Sequence, residues 1–145
     1  MDKEYEEAFV KNFFSKNLRD RVLFELFSPK KRRDALWRLN HNYNVALNEK
    51  YIVSITQRIA NTDELLQLLK NHGAKDSCYV MSLNENVDGK HLPLHIAVEK
   101  IAFYGLSSII SCVPDKLAYF QAEQDYGSRE RYLLKRNWKW LEHFL

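Results

Sequence analysis

Residues that interrupt or loosen a fold are scarce in this sequence. Its 145 residues include only four Gly and three Pro, so long disordered linkers are not expected. Apolar residues make up 46% of the chain and aromatic residues 13%, which is enough to build a buried core. Because this length suits one domain and leaves little room for two, we predict a single domain over residues 1–145.

Long apolar runs are also missing. No stretch approaches the roughly 18 consecutive apolar residues that a membrane-spanning helix needs. The first seven residues carry four acids and one Lys, whereas a secretory signal has a basic start and an apolar run. We therefore expect a cytoplasmic protein that does not act at a membrane.

Cysteine occurs only twice, as Cys78 and Cys112. Both residues lie in apolar, strand-like segments, and neither has a metal-ligand spacing. The pattern predicts two reduced, buried thiols, and a disulfide between neighbouring strands is the alternative.

The usual catalytic motifs are absent, including Gly-rich phosphate loops, the G-x-S-x-G elbow and the dinucleotide fingerprint. His91, His95 and Glu99 recur at i, i+4 and i+8, a spacing that could place three metal-binding side chains on one helical face. However, Leu92 occupies the position of the Glu in H-E-x-x-H, and Pro93 predicts a helix that starts after His91. We expect no metal and no cofactor.

A polar segment from Glu123 to Arg131 is a second place where chemistry could reside. It combines acids with a Tyr, a Ser and two Arg, and such a loop could position a carboxylate for acid–base catalysis. Solvated hairpin loops are far commoner than active sites, and a general base also needs burial to raise its pKa. We therefore favour a solvated turn.

Positive charge is modest overall but unevenly distributed. The formal net charge is +3, which does not by itself indicate a nucleic-acid-binding protein. From Lys11 to Arg38, nine Lys or Arg accompany three acids, a local balance of +6. From Arg129 to Lys139, five basic residues accompany one acid, a balance of +4. The charge is therefore concentrated in two segments.

The first half of the sequence has helical periodicity. Aromatic residues recur at i, i+4 and i+8 from Tyr5 to Phe13, as on one face of an amphipathic helix. A second helix is predicted from a cap at Asn17 through Phe27. Ser28-Pro29 predicts the start of a third, because Ser suits the N-cap and Pro the first helical position. Residues 43–60 fit either a helix or a strand, and we favour a helix.

A fourth helix is predicted after a cap at Asn61 or Thr62, and it ends at Gly73. The chain then changes to short apolar runs, which predict strands at 77–83, 107–113, 116–121 and 129–136. Between the first two strands a helix begins at Pro93 and ends at Gly105, and Asn137 caps a final helix.

These elements give the C-terminal half the order β-α-β-β-β-α. A strand-helix-strand step usually joins two parallel strands, and hairpins add antiparallel ones. We predict an α+β fold in which the helical N-terminal half packs on a small mixed β-sheet.

A basic cluster after Ser28-Pro29 is the main candidate site. Successive cations at a helix start are unfavourable because the helix N-terminus is itself partly positive, and an anionic partner would offset this cost. Trp37 either anchors an interface or joins the core, and a solvated helix end is the alternative for the cluster as a whole. The predicted partner-binding residues are Lys30, Lys31, Arg32, Arg33, Trp37 and Arg38.

Three classes of function fit these observations. The favoured class is a non-catalytic protein-binding module that recognises an acidic protein surface, for example an inhibitor or immunity-type protein that binds a toxin. The alternative is a nucleic-acid-binding domain that uses Lys30–Arg33, since cations beside aromatic residues also suit phosphate contact and base stacking. The second alternative is a small enzyme of unknown reaction.

Overall fold

The computed structural model describes residues 1–104, 106–123 and 130–136. Its helices are α1 (Lys3–Phe13), α2 (Arg19–Leu26), α3 (Arg32–Ala46), α4 (Thr62–Asn71) and α5 (Leu94–Ile101). Its strands are β1 (Ile52–Ser54), β2 (Ser77–Ser82), β3 (Lys90–Pro93), β4 (Ser108–Val113), β5 (Leu117–Gln121) and β6 (Arg131–Lys135). The predicted α+β class is confirmed.

The six strands form one sheet in the order β1-β6-β5-β4-β2-β3. Every neighbouring pair is antiparallel, including β2 with β4, where Val80 lies opposite Ile110. The prediction that the sheet mixes parallel and antiparallel strands is therefore wrong.

An unrecognised strand explains this difference. Strand β3 turns back on β2 through Asp88 and Gly89, and Gly89 adopts the left-handed φ of +72° that such a turn favours. The helix α5 thus follows β3 rather than β2. Since β3 and β4 are both antiparallel to β2, they run in the same direction with β2 between them. The strand-helix-strand step exists, but its two strands are not neighbours.

Helices cover both faces of the sheet. On one face α1, α2 and α3 pack a core that includes Phe9, Phe13, Leu36, Met81 and Phe120. On the other face α4 and α5 pack a second core that includes Leu65, Leu69, Val98, Ile110 and Tyr119. Strand β5 is buried at all five positions, which explains why the central strands are continuous apolar runs rather than alternating ones.

Several helix boundaries differ from the prediction. Helix α2 begins at Arg19 without a side-chain cap, because Asn17 lies in a preceding 3-10 turn, and α5 extends only from Leu94 to Ile101. Residues 43–60 are not one helix, because α3 ends at Ala46 and β1 pairs Ile52 with Leu134 of β6. The third helix starts at Arg32 rather than at Pro29, since the Ser28 carbonyl accepts from the N–H groups of Lys31 and Arg32 and closes a turn first.

Several other sequence predictions are confirmed. The Asn61 side chain accepts a hydrogen bond from the Glu64 N–H and caps α4, and Gly73 follows that helix with a φ of +106°. Cys78 and Cys112 are buried free thiols.

None of the described helices combines the length and apolar character that membrane crossing requires. The predicted final helix after Asn137 lies outside the described residues.

Candidate protein-binding surface on helices α2 and α3

Arg32 is the predicted site residue whose surroundings differ most from the expectation. Only 6% of its surface is exposed. Its Nη1 and Nη2 atoms donate to the two Glu6 carboxylate oxygens at 2.6 and 2.8 Å. Its Nε and Nη2 atoms donate to the Asp88 carboxylate at 2.7 and 2.8 Å. Because both pairs are bidentate and lie inside the protein, we remove Arg32 from the predicted partner-binding surface.

Further hydrogen bonds complete this buried cluster. The Tyr79 hydroxyl donates to Glu6 at 2.5 Å, and the Leu26 carbonyl accepts from Arg32 Nη1 at 3.1 Å. Burial lowers the pKa of the Arg32 guanidinium, but the hydrogen bonds to Asp88 and Glu6 raise it above its ordinary value overall. The cluster joins α1 and α3 to the β2–β3 turn, so its role is structural.

The other cations of the basic cluster are exposed. Lys30 and Lys31 face solvent, and the Lys31 Nζ atom lies 5.1 Å from the centre of the Phe24 ring. Arg33 is mostly exposed and forms an ion pair with Glu85 at 3.0 Å. The four successive cations therefore do not form one continuous basic surface.

Arg38 and Trp37 lie on the outer side of α3. The Arg38 guanidinium pairs with the carboxylate of Glu25 on α2, whose other oxygen is 3.6 Å from Arg21 Nε. Two arginines thus share one acid. The Trp37 ring lies against the His41 ring at a tilt of 35°, with 4.0 Å between ring centroids. Because Trp37 is 52% exposed, it does not join the core.

Large apolar side chains are exposed on this same pair of helices. The exposed fractions are 65% for Phe24, 52% for Trp37 and 65% for Val45. Single exposed apolar residues are ordinary, but three on one helical pair beside several cations are typical of a binding surface. We call Arg21, Phe24, Lys31, Trp37, Arg38 and Val45, with the groove between their helices, the α2–α3 face.

The groove itself has a volume of about 250 Å³. Its apolar walls come from Phe14, Leu18, Val22, Ala35, Leu39, Val45 and Ala46, and Arg21, Glu25 and Arg38 supply charges. Among the described residues, the buried Oε1 atom of Glu25 has no hydrogen-bond partner. Asn42 also lines the groove, so a ligand there would meet apolar walls, two guanidinium groups, one carboxylate and one side-chain amide.

Sequence reasoning did not identify Phe24, Val45 or Arg21 as site residues. A signal for Phe24 was present, because it lies between Leu23 and Glu25 and does not belong to the apolar stripe that carries Val22 and Leu26. An aromatic residue off the stripe of an amphipathic helix faces solvent. For Val45 and Arg21 no comparable sequence signal exists.

The histidine candidates do not come together on one helix. His91 lies on β3, where its Nε2 atom is 2.9 Å from Asp2 Oδ2. That hydrogen bond lowers the pKa of the Asp2 carboxyl. His95 and Glu99 lie on α5. No group of three His, Cys, Asp or Glu side chains suited to a metal occurs in the described part of the chain, and the absence of a metal or cofactor stays a prediction.

Residues 124–129 of the polar loop lie outside the described residues. At its end, Glu130 accepts hydrogen bonds from the hydroxyls of Tyr43 at 2.8 Å and Tyr132 at 3.2 Å. Burial and the hydrogen bonds to Tyr132 and Glu130 raise the pKa of the Tyr43 hydroxyl. These contacts join α3 to β6 and assign no acid–base role to Glu130.

No protein-family model, curated protein or solved structure matches this chain. A functional proposal therefore depends on the geometry and chemistry of its own residues. The α2–α3 face combines two exposed aromatic rings, those of Phe24 and Trp37, with charge and a groove.

Proposed function

We propose that this chain acts in the cytoplasm as a non-catalytic protein-binding module and that the α2–α3 face is its interface. The observation that supports this proposal is the exposure of Phe24 and Trp37 beside Lys31 and Arg38. Tryptophan and arginine are the residues most often found at the energetic centre of protein interfaces. Aromatic rings supply large contact area at a small cost in side-chain entropy.

The charges of this face favour an acidic partner. Arg21 and Arg38 share the carboxylate of Glu25, and Lys31 contacts an aromatic ring. Asp34 lines a recess together with Lys31, Trp37 and Arg38, so three cations of this face accompany two acids. An apolar segment that carries carboxylates would fill the groove and pair with the excess positive charge. Electrostatic complementarity of this kind increases the association rate and the specificity.

The nucleic-acid alternative loses part of its support. It relied on Lys30–Arg33, but Arg32 is buried and Arg33 is paired with Glu85. Of these four cations, only Lys30 and Lys31 are exposed without an acidic partner among the residues that the structure describes, so a run of phosphates would meet two available cations rather than four.

A capture experiment with matched variants tests the proposal. The double variant Phe24→Ser/Trp37→Ser removes both exposed rings without emptying the core. We expect it to lose the partner that the native chain captures from its host, because removing an interface anchor costs about 2 kcal/mol or more, roughly thirtyfold in affinity. Circular dichroism verifies that the variant is folded.

The control is Tyr104→Ser, which removes a ring that is 60% exposed but lies outside the α2–α3 face. Support requires a nuclease-resistant protein that the native chain and the control retain and the double variant loses. Equal recovery by all three chains would exclude this face as the interface. Recovery that disappears after nuclease treatment would favour the nucleic-acid alternative.

A further inference from the structure

A second recess lies beside the first residue of β6, away from the α2–α3 face. It has a volume of about 530 Å³, and its walls come from residues 55–59, from Phe103 and from Arg131. The N–H of Ile55 donates to the carbonyl of Arg131 at 3.0 Å. This backbone bond holds residues 55–59 against β6, so the recess is bounded by segments that are fixed to each other.

Among the described residues that line this recess, all of the charge is positive. Arg58 and Arg131 both line it, together with Thr56 and Gln57, and none of the described lining residues is acidic. Within the described ranges, Arg58 is exposed and has no hydrogen bond or ion pair, and Arg131 has no carboxylate partner. In contrast, Arg33 on α3 is paired with an acid.

The Arg131 guanidinium is held in position from two sides. Its Nη1 atom donates to the Tyr119 hydroxyl at 2.5 Å, and its Cζ atom lies 5.1 Å from the centre of the Phe103 ring. Tyr119 donates in turn to Gln121 at 2.8 Å. The Gln121 amide donates to three carbonyls in residues 101–106 at 2.9 to 3.1 Å. Such anchoring reduces the entropy that an arginine loses when it binds an anion.

We propose that this recess binds the phosphate of a small organic phosphate monoester. Two guanidinium groups, one hydroxyl and one amide can donate to several oxygens at once, and a monoester carries about −1.5 to −2 charges with three acceptor oxygens. A carboxylate has only two oxygens, and one arginine alone can satisfy both. The presence of two arginines therefore favours a phosphate over a carboxylate. Ile55, Ile59 and Phe103 supply apolar wall for the organic part of the ligand. This site shares no residue with the α2–α3 face and goes beyond the proposed function.

Titration of the full chain with phenyl phosphate tests this assignment, with calorimetry as the readout. We expect saturable binding that Arg58→Gln weakens by about tenfold or more, as for the loss of a charge-assisted hydrogen bond. Arg131→Lys keeps the charge but loses the planar fork, so it should weaken binding severalfold. The control Arg33→Gln removes a cation outside the recess and should leave binding unchanged.

Arg58 is exposed and has no hydrogen bond or ion pair with any residue that the structure describes, so Arg58→Gln decides the question even where Arg131→Lys unfolds the chain. The proposal would be overturned if phenyl phosphate showed no saturable binding. It would also be overturned if Arg58→Gln and Arg33→Gln weakened phenyl phosphate binding equally. Benzoate that binds as tightly as phenyl phosphate would overturn the choice of phosphate over carboxylate. Inorganic phosphate should bind more weakly than phenyl phosphate, and equal affinity would remove the role assigned to the apolar wall.

Discussion

At the scale of single residues, the four successive cations after Pro29 occupy different environments. Lys30 and Lys31 face solvent, Arg32 lies in the interior and Arg33 pairs with a surface acid. Arg32 is buried because Glu6, Asp88 and the Leu26 carbonyl together satisfy its five donors. An unpaired guanidinium could not be buried there, since the loss of hydration would cost several kcal/mol.

We predict that Arg32→Gln destabilises the protein by about 3–5 kcal/mol, because it leaves the buried Glu6 carboxylate without its countercharge. Urea unfolding measures the change as a lower midpoint. The neighbouring variant Arg33→Gln is the control. It removes an exposed ion pair and should cost at most about 1 kcal/mol. Equal midpoints for the two variants would contradict the structural role of Arg32.

At the scale of secondary-structure elements, local hydrogen bonds define where several helices begin. In α4 the Asn61 side chain accepts from the Glu64 N–H at 2.9 Å, and the Glu64 carboxylate accepts from the Ala60 N–H at 2.7 Å. This reciprocal arrangement satisfies donors that the first turn cannot pair internally. Helix α3 begins with no side-chain cap and depends on the turn at Ser28 and on Arg32.

We predict that Asn61→Ala destabilises the protein by about 1 kcal/mol through loss of this cap. Asn71→Ala, at the last residue of the same helix, removes only an exposed side-chain contact with Gln67 and should cost a few tenths of a kcal/mol. Thermal unfolding of both variants compares the two ends of α4. A cost for Asn71→Ala that matches or exceeds that for Asn61→Ala would show that the cap contributes little.

At the scale of the whole molecule, one sheet separates two apolar cores. Adjacent residues of β5, such as Tyr119 and Phe120, point into different cores. Neither core can therefore unfold while the sheet stays intact. This shared element gives physical support to the prediction of a single domain over residues 1–145.

We predict that both cores unfold in one transition. Cys78 and Cys112 report on the second core, and burial raises the pKa of the Cys78 thiol to about 12 and raises that of Cys112 as well. At pH 8 both thiols should therefore be unreactive in the native protein, and two should react after unfolding. As urea is increased, the two thiols should become reactive at the same midpoint as the loss of the circular dichroism signal.

Two separate midpoints would contradict the single domain. Fewer than two reactive thiols after unfolding without a reductant would instead contradict the prediction that both cysteines are reduced.

The sequence by itself determined the α+β class, the end of α4 and its start at a cap on Asn61 or Thr62, and the burial of both cysteines. Each of these follows from local chemistry, such as the periodicity of apolar residues, the capping oxygen of Asn61 or the conformational freedom of Gly73. The segment 43–60 was ambiguous for the same reason, because Ile52 and Val53 suit both a helix and a strand until β6 is there to pair with them.

Only the tertiary structure decided the strand directions, the burial of Arg32 and the composition of the α2–α3 face. Arg32 meets Glu6 and Asp88 across 26 and 56 residues of sequence, and no local pattern encodes such pairings. Lys31 contacts Phe24 and lines a recess with Trp37 because α2 and α3 pack against each other. Contacts between distant segments, rather than the helical or strand tendency of either segment, determine which side chains remain available to a partner.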